Sequence, residues 1–267
     1  MHFALLHDGR PALLRVEGPP GAPVALFFHP FPLHADVWEE MLIACAASGL
    51  CAAALDAPGF GGTPALGQPL TMEKLAELGA CALDTLGSRR ASVVGCSMGG
   101  YAAMAFARLF PERLTAIALL ATKASADTEA AKQNRERQAQ LALSSGPDAV
   151  VAEFMPKLLA PDPAPGVRHR ISELARRATA QGIAEALRGM ALRPDSLPAL
   201  PRWTVPTLLI AGEHDQLMPR SEMEALERGI PRSRLVIVEG AGHLPFLEKP
   251  RVVAPLLTAH LQIRVRD

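Results

Sequence analysis

This chain has none of the compositional biases that would name a partner. Lys+Arg and Asp+Glu each number 27, so no net charge draws the protein to nucleic acid or to an anionic membrane surface. Cysteine is scarce, at four in 267 residues. Cys45, Cys51, Cys81 and Cys96 fall at irregular spacings in apolar surroundings without a C-x-x-C pair. That pattern predicts buried free thiols rather than disulfides or a zinc site. No apolar run approaches membrane-spanning length, and the N-terminus lacks the apolar stretch and small-residue cleavage site of a signal peptide. The expectation is therefore a cytoplasmic protein that needs no metal or cofactor. What the chain does have is apolar bulk: it is 49% hydrophobic and 20% charged, enough to bury a large core as one α/β domain with an insertion.

The most informative stretch is Gly95-Cys96-Ser97-Met98-Gly99-Gly100. It reads as G-x-S-x-G, a nucleophile elbow, and its flanks fit. Arg90 to Val94 is a short β-branched run of buried-strand length, and the Ala-rich segment from Tyr101 to Phe110 has helical spacing. Gly95 and Gly99 make steric sense beside a residue held in a strained turn, where a side chain would clash. An incidental serine in a Gly-rich turn is the bland alternative, and the strand-turn-helix context argues against it.

A serine hydroxyl needs a general base, and that base needs a carboxylate to orient it. In the arrangement to which this elbow belongs, acid and base follow the nucleophile along the chain. Among the eight histidines, His169, His214, His243 and His260 lie downstream. His243 stands in the loop Glu239 to Phe246, after the strand-like Arg234 to Val238, and is the expected base. The preceding strand-like run, Pro206 to Gly212, leads into Glu213-His214-Asp215. Asp215 is the expected acid, with Glu213 as the alternative. His169 sits in a basic stretch and His260 on a C-terminal helix, both better read as solvated or packing residues.

These motifs occur in one order along nearly the whole chain: His29-Pro30-Phe31-Pro32-Leu33, Asp56 to Thr63, the elbow, Met190 to Ser196, Gly212 to Asp215, and Gly242 to Pro245. The chain resembles the α/β-hydrolase family, and within it the group of 3-oxoadipate enol-lactonases, small carboxylesterases and cofactor-free haloperoxidase-like enzymes. The resemblance implies a mostly parallel sheet with helices on both faces. It also implies an oxyanion hole with one backbone N–H from Met98 and a second from the loop after the third strand. There the chain departs from the family, which commonly has glycine at the position of Pro30. Proline has no N–H to donate, so the second donor is assigned to Phe31. His29 and Asp56 are read as residues that tie down their own loops.

Residues 1–121 and 201–267 alternate strand-like and helical runs, the βαβ rhythm of a hydrolase core. From 122 to 200 the strands vanish, and helical segments at Ala130 to Leu143, Pro147 to Leu159 and Ile171 to Leu192 read as a lid. Leu33, Trp38, Met218 and Leu244 from the core loops, with Phe154, Met155, Leu158 and Met190 from the lid, are the expected pocket wall. Their apolar character predicts a small, uncharged ester or lactone as substrate, hydrolysed through an acyl-enzyme on Ser97. Substrates bearing carboxylates are expected to be poor, because Arg193 reads as structural and Arg168, Arg170, Arg176 and Arg177 as a solvated helix face. A 3-oxoadipate enol-lactonase, a perhydrolase and a non-catalytic ligand-binding protein on the same fold are the alternative readings.

Overall fold

The computed structural model describes residues 2–7 and 10–262. Its centre is an eight-stranded sheet in the order β1-β2-β4-β3-β5-β6-β7-β8. Strands β1 (His2–His7) and β2 (Arg10–Glu17) form an antiparallel edge, and β2 pairs antiparallel with β4 (Cys51–Leu55). From β4 onward every pairing is parallel, through β3 (Val24–Phe28), β5 (Ala91–Cys96), β6 (Leu114–Leu120), β7 (Thr207–Gly212) and β8 (Ser233–Val238). Strands buried on both faces need apolar residues at every position, and β3, Val-Ala-Leu-Phe-Phe, is buried throughout. Its alternate residues feed two cores: Val24, Leu26 and Phe28 face one side of the sheet, Ala25 and Phe27 the other.

Helices cover both faces. The Phe28 side packs against α2 (Met72–Thr85) and α3 (Met98–Leu109), the Phe27 side against α1 (Glu39–Ala47) and α10 (Pro250–Leu261). Between β6 and β7 lie four more helices: α4 (Glu129–Ser145), α5 (Pro147–Leu158), α6 (Val167–Ala175) and α7 (Ala180–Ala191). A further helix, α8 (Arg220–Gly229), links β7 to β8, and a single turn, α9 (Pro245–Glu248), precedes α10.

The structure divides one helix that the sequence pattern joins. The expected span Ile171 to Leu192 breaks between α6 and α7, where Thr179 turns outward and its hydroxyl caps the Gly182 N–H at 2.9 Å. The chain there pairs with the loop after β4: Ala178 bridges Phe60, Gly61 N–H donates to Arg177 O, and Thr179 N–H donates to Gly59 O. Backbone pairing with a distant loop outweighs helical continuity, and no periodicity in the sequence announces it.

Candidate active site

The loops that carry Phe31, Ser97, Asp215 and His243 leave the C-terminal ends of the parallel strands, where α/β sheets present their ligand crevice. Ser97 lies between β5 and α3 with φ 54° and ψ −116°, far from the conformations ordinary side chains favour. Several bonds hold it there. Its N–H donates to Leu120 O at 2.9 Å, and its carbonyl accepts from Gly100 N–H and from the buried Thr122 hydroxyl, each at 2.9 Å. A Cβ at Gly95 would stand 2.1 Å from Gly99 O, and one at Gly99 2.1 Å from Phe28 O. The turn therefore admits no side chain at either glycine, as the motif predicts.

Asp215 and His243 meet although they lie 28 positions apart in sequence. The loops after β7 and β8 are pressed together at Gly212, where a Cβ would lie 1.9 Å from Gly242 O, and His214 N–H donates to Ala241 O at 2.8 Å. His243 Nδ1–H donates to the Asp215 carboxylate, at 3.0 Å to Oδ1 and 2.9 Å to Oδ2. Asp215 Oδ1 also accepts the N–H groups of Leu217 and Met218, each at 2.9 Å. With Nδ1 carrying its proton, Nε2 of the neutral ring is left as an acceptor. Glu213 is spent elsewhere, accepting Gly240 N–H at 2.9 Å, and His214 stands half in solvent. Of the two candidate carboxylates, it is Asp215 that reaches the imidazole.

One buried residue steadies this arrangement without any sequence signal for it. Glu248, on α9, accepts Gly242 N–H at 2.8 Å with Oε1 and Ala160 N–H at 2.7 Å with Oε2. It joins the His243 loop to the chain just beyond α5. Burial pushes its carboxyl above the usual range, and the backbone N–H groups that it accepts pull the other way.

The expected oxyanion donors sit at two loop ends beside the elbow. Met98 is the first residue of α3, where helical geometry leaves the N–H without an intrahelical acceptor. Phe31 N–H donates to no acceptor among the described residues. His29 and Asp56 hold the neighbouring loops. His29 Nδ1–H donates to Pro30 O and Nε2 accepts Ala57 N–H, both at 3.0 Å. Asp56 accepts the N–H groups of Ala35 at 2.8 Å and Gly62 at 2.7 Å. Cys96 is fully buried behind Ser97, with its thiol pushed well up by burial and then by the nearby Asp215 charge.

Ser97 and His243 line a cavity of about 130 Å³ with Phe31, Tyr101, Arg135, Phe154, Met190, Leu217 and Met218. Phe154, Met190 and Met218 were expected there, and Phe31 as an oxyanion donor beside it. Leu33, Trp38, Leu158 and Leu244 are not on its wall: all four are sealed in the core, with Trp38 stacked on Phe246 at 3.9 Å between centroids. Met155 packs against the core on the Phe27 face instead. Helical spacing marks which residues face inward but not which inward residues border a void. The wall is also not wholly apolar, contrary to expectation. Arg135, on α4, turns inward to a buried carboxylate, Asp127. Arg193 is a structural residue: it is buried, donates to Met190 O and Ser125 O at 2.9 Å each, and lies 4.0 Å over the Tyr101 ring.

Comparison with known proteins identifies the family. The sequence profile of the alpha/beta hydrolase fold matches residues 23–250, and the chain belongs to that family. It is 33% identical over 212 residues to a pimeloyl-[acyl-carrier protein] methyl ester esterase of Neisseria meningitidis serogroup C, covering 76% of this chain and 80% of the relative. A thermophilic esterase from Thermogutta terrifontis, solved with malate bound, superposes with a TM-score of 0.91 at 33% identity over 97% of each chain. The enol-lactonase from Burkholderia xenovorans LB400 shares the fold, with a TM-score of 0.89 at 24% identity over 98% of this chain and all of its own.

Proposed function

We propose that the protein is a serine hydrolase of small carboxylic esters or lactones, with Ser97 as nucleophile, His243 as base and Asp215 as the acid that orients it. The observation that carries this reading is the bidentate His243–Asp215 contact, which fixes the tautomer, on a cavity shared with a serine in a strained elbow. In the reaction, Ser97 Oγ attacks the carbonyl carbon as its proton passes to His243 Nε2. The Phe31 and Met98 N–H groups then face the oxyanion of the tetrahedral intermediate. His243 returns the proton to the departing alkoxide, leaving an acyl-enzyme. A water deprotonated by the same imidazole attacks that ester, and the acid leaves with Ser97 restored.

Residues 122–200 serve in this reading as the lid, supplying Arg135, Phe154 and Met190 to the cavity wall. A cavity of about 130 Å³ suits a short chain. The decisive experiment is labelling with a fluorophosphonate alongside turnover of short methyl and p-nitrophenyl esters. Wild type should label and release acid, and Ser97→Ala should do neither. Undiminished labelling of the variant would place the nucleophile elsewhere.

A further inference from the structure

Arg135, on the cavity wall, shares its carboxylate partner with two other cations. Asp127, buried in the segment between β6 and α4, accepts from Arg135 Nε and from Arg193 Nη2 at 2.9 Å, and has Lys123 Nζ at 3.5 Å. Three cations thus converge on one carboxylate, whose affinity for protons falls below the usual range because hydrogen bonds from Arg193 and Arg135 override the opposing effect of burial.

The two arginines are used differently. Arg193 donates to two backbone carbonyls and to Asp127 and lies outside the cavity. Arg135 lines the cavity, and beyond Asp127 its only partner among the described residues is the Met190 sulfur, a weak acceptor 3.5 Å from Nη1. Nη2 has no acceptor among the described residues. Tyr101, on the same wall and 5% exposed, likewise has a hydroxyl with no protein partner among the described residues. A guanidinium edge and a phenol therefore border the space beside Ser97 with donors to spare. Both groups are free to donate to an anion that enters the cavity.

We infer that this wall is a carboxylate subsite: the substrate is an ester or lactone carrying a second carboxylate, which Arg135 Nη2 and the Tyr101 hydroxyl receive while Ser97 attacks the ester carbonyl. The small cavity favours a planar carboxylate, which a guanidinium edge matches, over a bulkier phosphate. The inference rests on the serine-hydrolase reading and replaces the expectation that anions are excluded.

The test uses matched esters in which a carboxylate is exchanged for an isopropyl group of the same shape. Monomethyl glutarate against methyl 5-methylhexanoate places the charge on the acyl side. 3-Acetoxypropanoate against isoamyl acetate places it on the alcohol side. Acid release by the wild type should favour the anionic member of at least one pair by tenfold or more in kcat/KM. Arg135→Met should reduce that preference by about 10- to 100-fold, the range of a charge-assisted hydrogen bond, and Arg135→Lys should recover part of it. Wild type preferring the isopropyl member of both pairs overturns the subsite, as does an Arg135→Met variant that slows both members of each pair equally. Should the variant not fold, the wild-type ratios still decide. Fluorophosphonate labelling keeps the two readings apart: a labelled enzyme without anionic preference loses only the subsite, whereas an unlabelled and inactive one loses both.

Discussion

The loops at the strand ends and the helices of 129–191 both present polar groups to one cavity, but they hold them by different means. Ser97 is fixed by backbone: its own N–H and carbonyl are tied to Leu120, Gly100 and Thr122, and the neighbouring glycines let the strands close in. Arg135 is fixed by side chains alone, through Asp127 and Met190. Around it, the helices are laced by Arg188 to Glu136 at 2.7 Å and by Arg137 to Glu153 at 2.7 Å, pairs at the surface that contribute little individually. Backbone constraints demand particular residues at fixed spacing, while a side-chain pair can be made from many sequences. The first region can change little without losing its chemistry; the second can be rebuilt to fit a different substrate.

Under the proposed mechanism, that contrast is broken most severely by Asp215→Asn. The amide can no longer accept Nδ1–H as the carboxylate does, so the imidazole turns to the wrong tautomer. kcat should fall on the order of 10⁴-fold, as in the serine-protease precedent. The fold should persist, because the substituted side chain would still offer an amide oxygen to the Leu217 and Met218 N–H groups. Glu213→Gln should stay within a few-fold of wild type, and a larger loss there than in Asp215→Asn would reverse the assignment. Steady-state kinetics on one short ester decides it.

Acid separates the same two regions by stability. Burial, the largest influence on His29, lowers it to about 4 against the opposing effects of Pro30 O and Asp56, with His34 lowering it further. The folded state thus binds the proton more weakly than the unfolded chain, whose imidazole titrates at its ordinary 6.5. Stability should fall as the pH drops from 6.5 toward 4, by on the order of 3 kcal/mol from this group. Burial also lowers His34, which adds to the loss in the same direction. Asp127 contributes a loss of stability in the same direction but at lower pH. Its depressed carboxyl keeps its stabilising charge across this window and loses it only below the ordinary carboxylate range. Urea unfolding at pH 7 and pH 4.5 should show this loss, with a shallower pH slope in His29→Gln. Equal slopes would mean that His29 is not the group concerned.

The same physical division governs what could be read from the sequence. The tight turn at Ser97 and the strand ends that bring Asp215 to His243 were legible because strained backbone and close strand approach select glycine at particular positions. The break between α6 and α7 was not, because it answers a loop 120 residues away in sequence, through Thr179 and Gly59. Arg135 was missed for a related reason: a basic residue among polar helix neighbours shows no sign of facing inward until its partner, Asp127, is seen. Glu248 had no signal, since a carboxylate between two backbone N–H groups leaves no spacing to find.

Glu248 is also where the two regions meet, and its replacement offers the smallest but most discriminating effect. Glu248→Gln keeps the shape but gives one oxygen and one NH₂ to two backbone N–H donors, so either Ala160 or Gly242 loses its acceptor in a buried place. The cost should be about 1–3 kcal/mol of stability. Gly242 adjoins His243, whereas Ala160 belongs to the chain between α5 and α6. If the amide oxygen stays with Gly242, kcat on a short ester should hold while the helical segment loosens, visible as faster amide exchange across α5. If it turns to Ala160, exchange should stay slow and kcat should drop several-fold as His243 loses its footing. A variant with wild-type stability and unchanged values for both would show that the two regions are held together by packing alone.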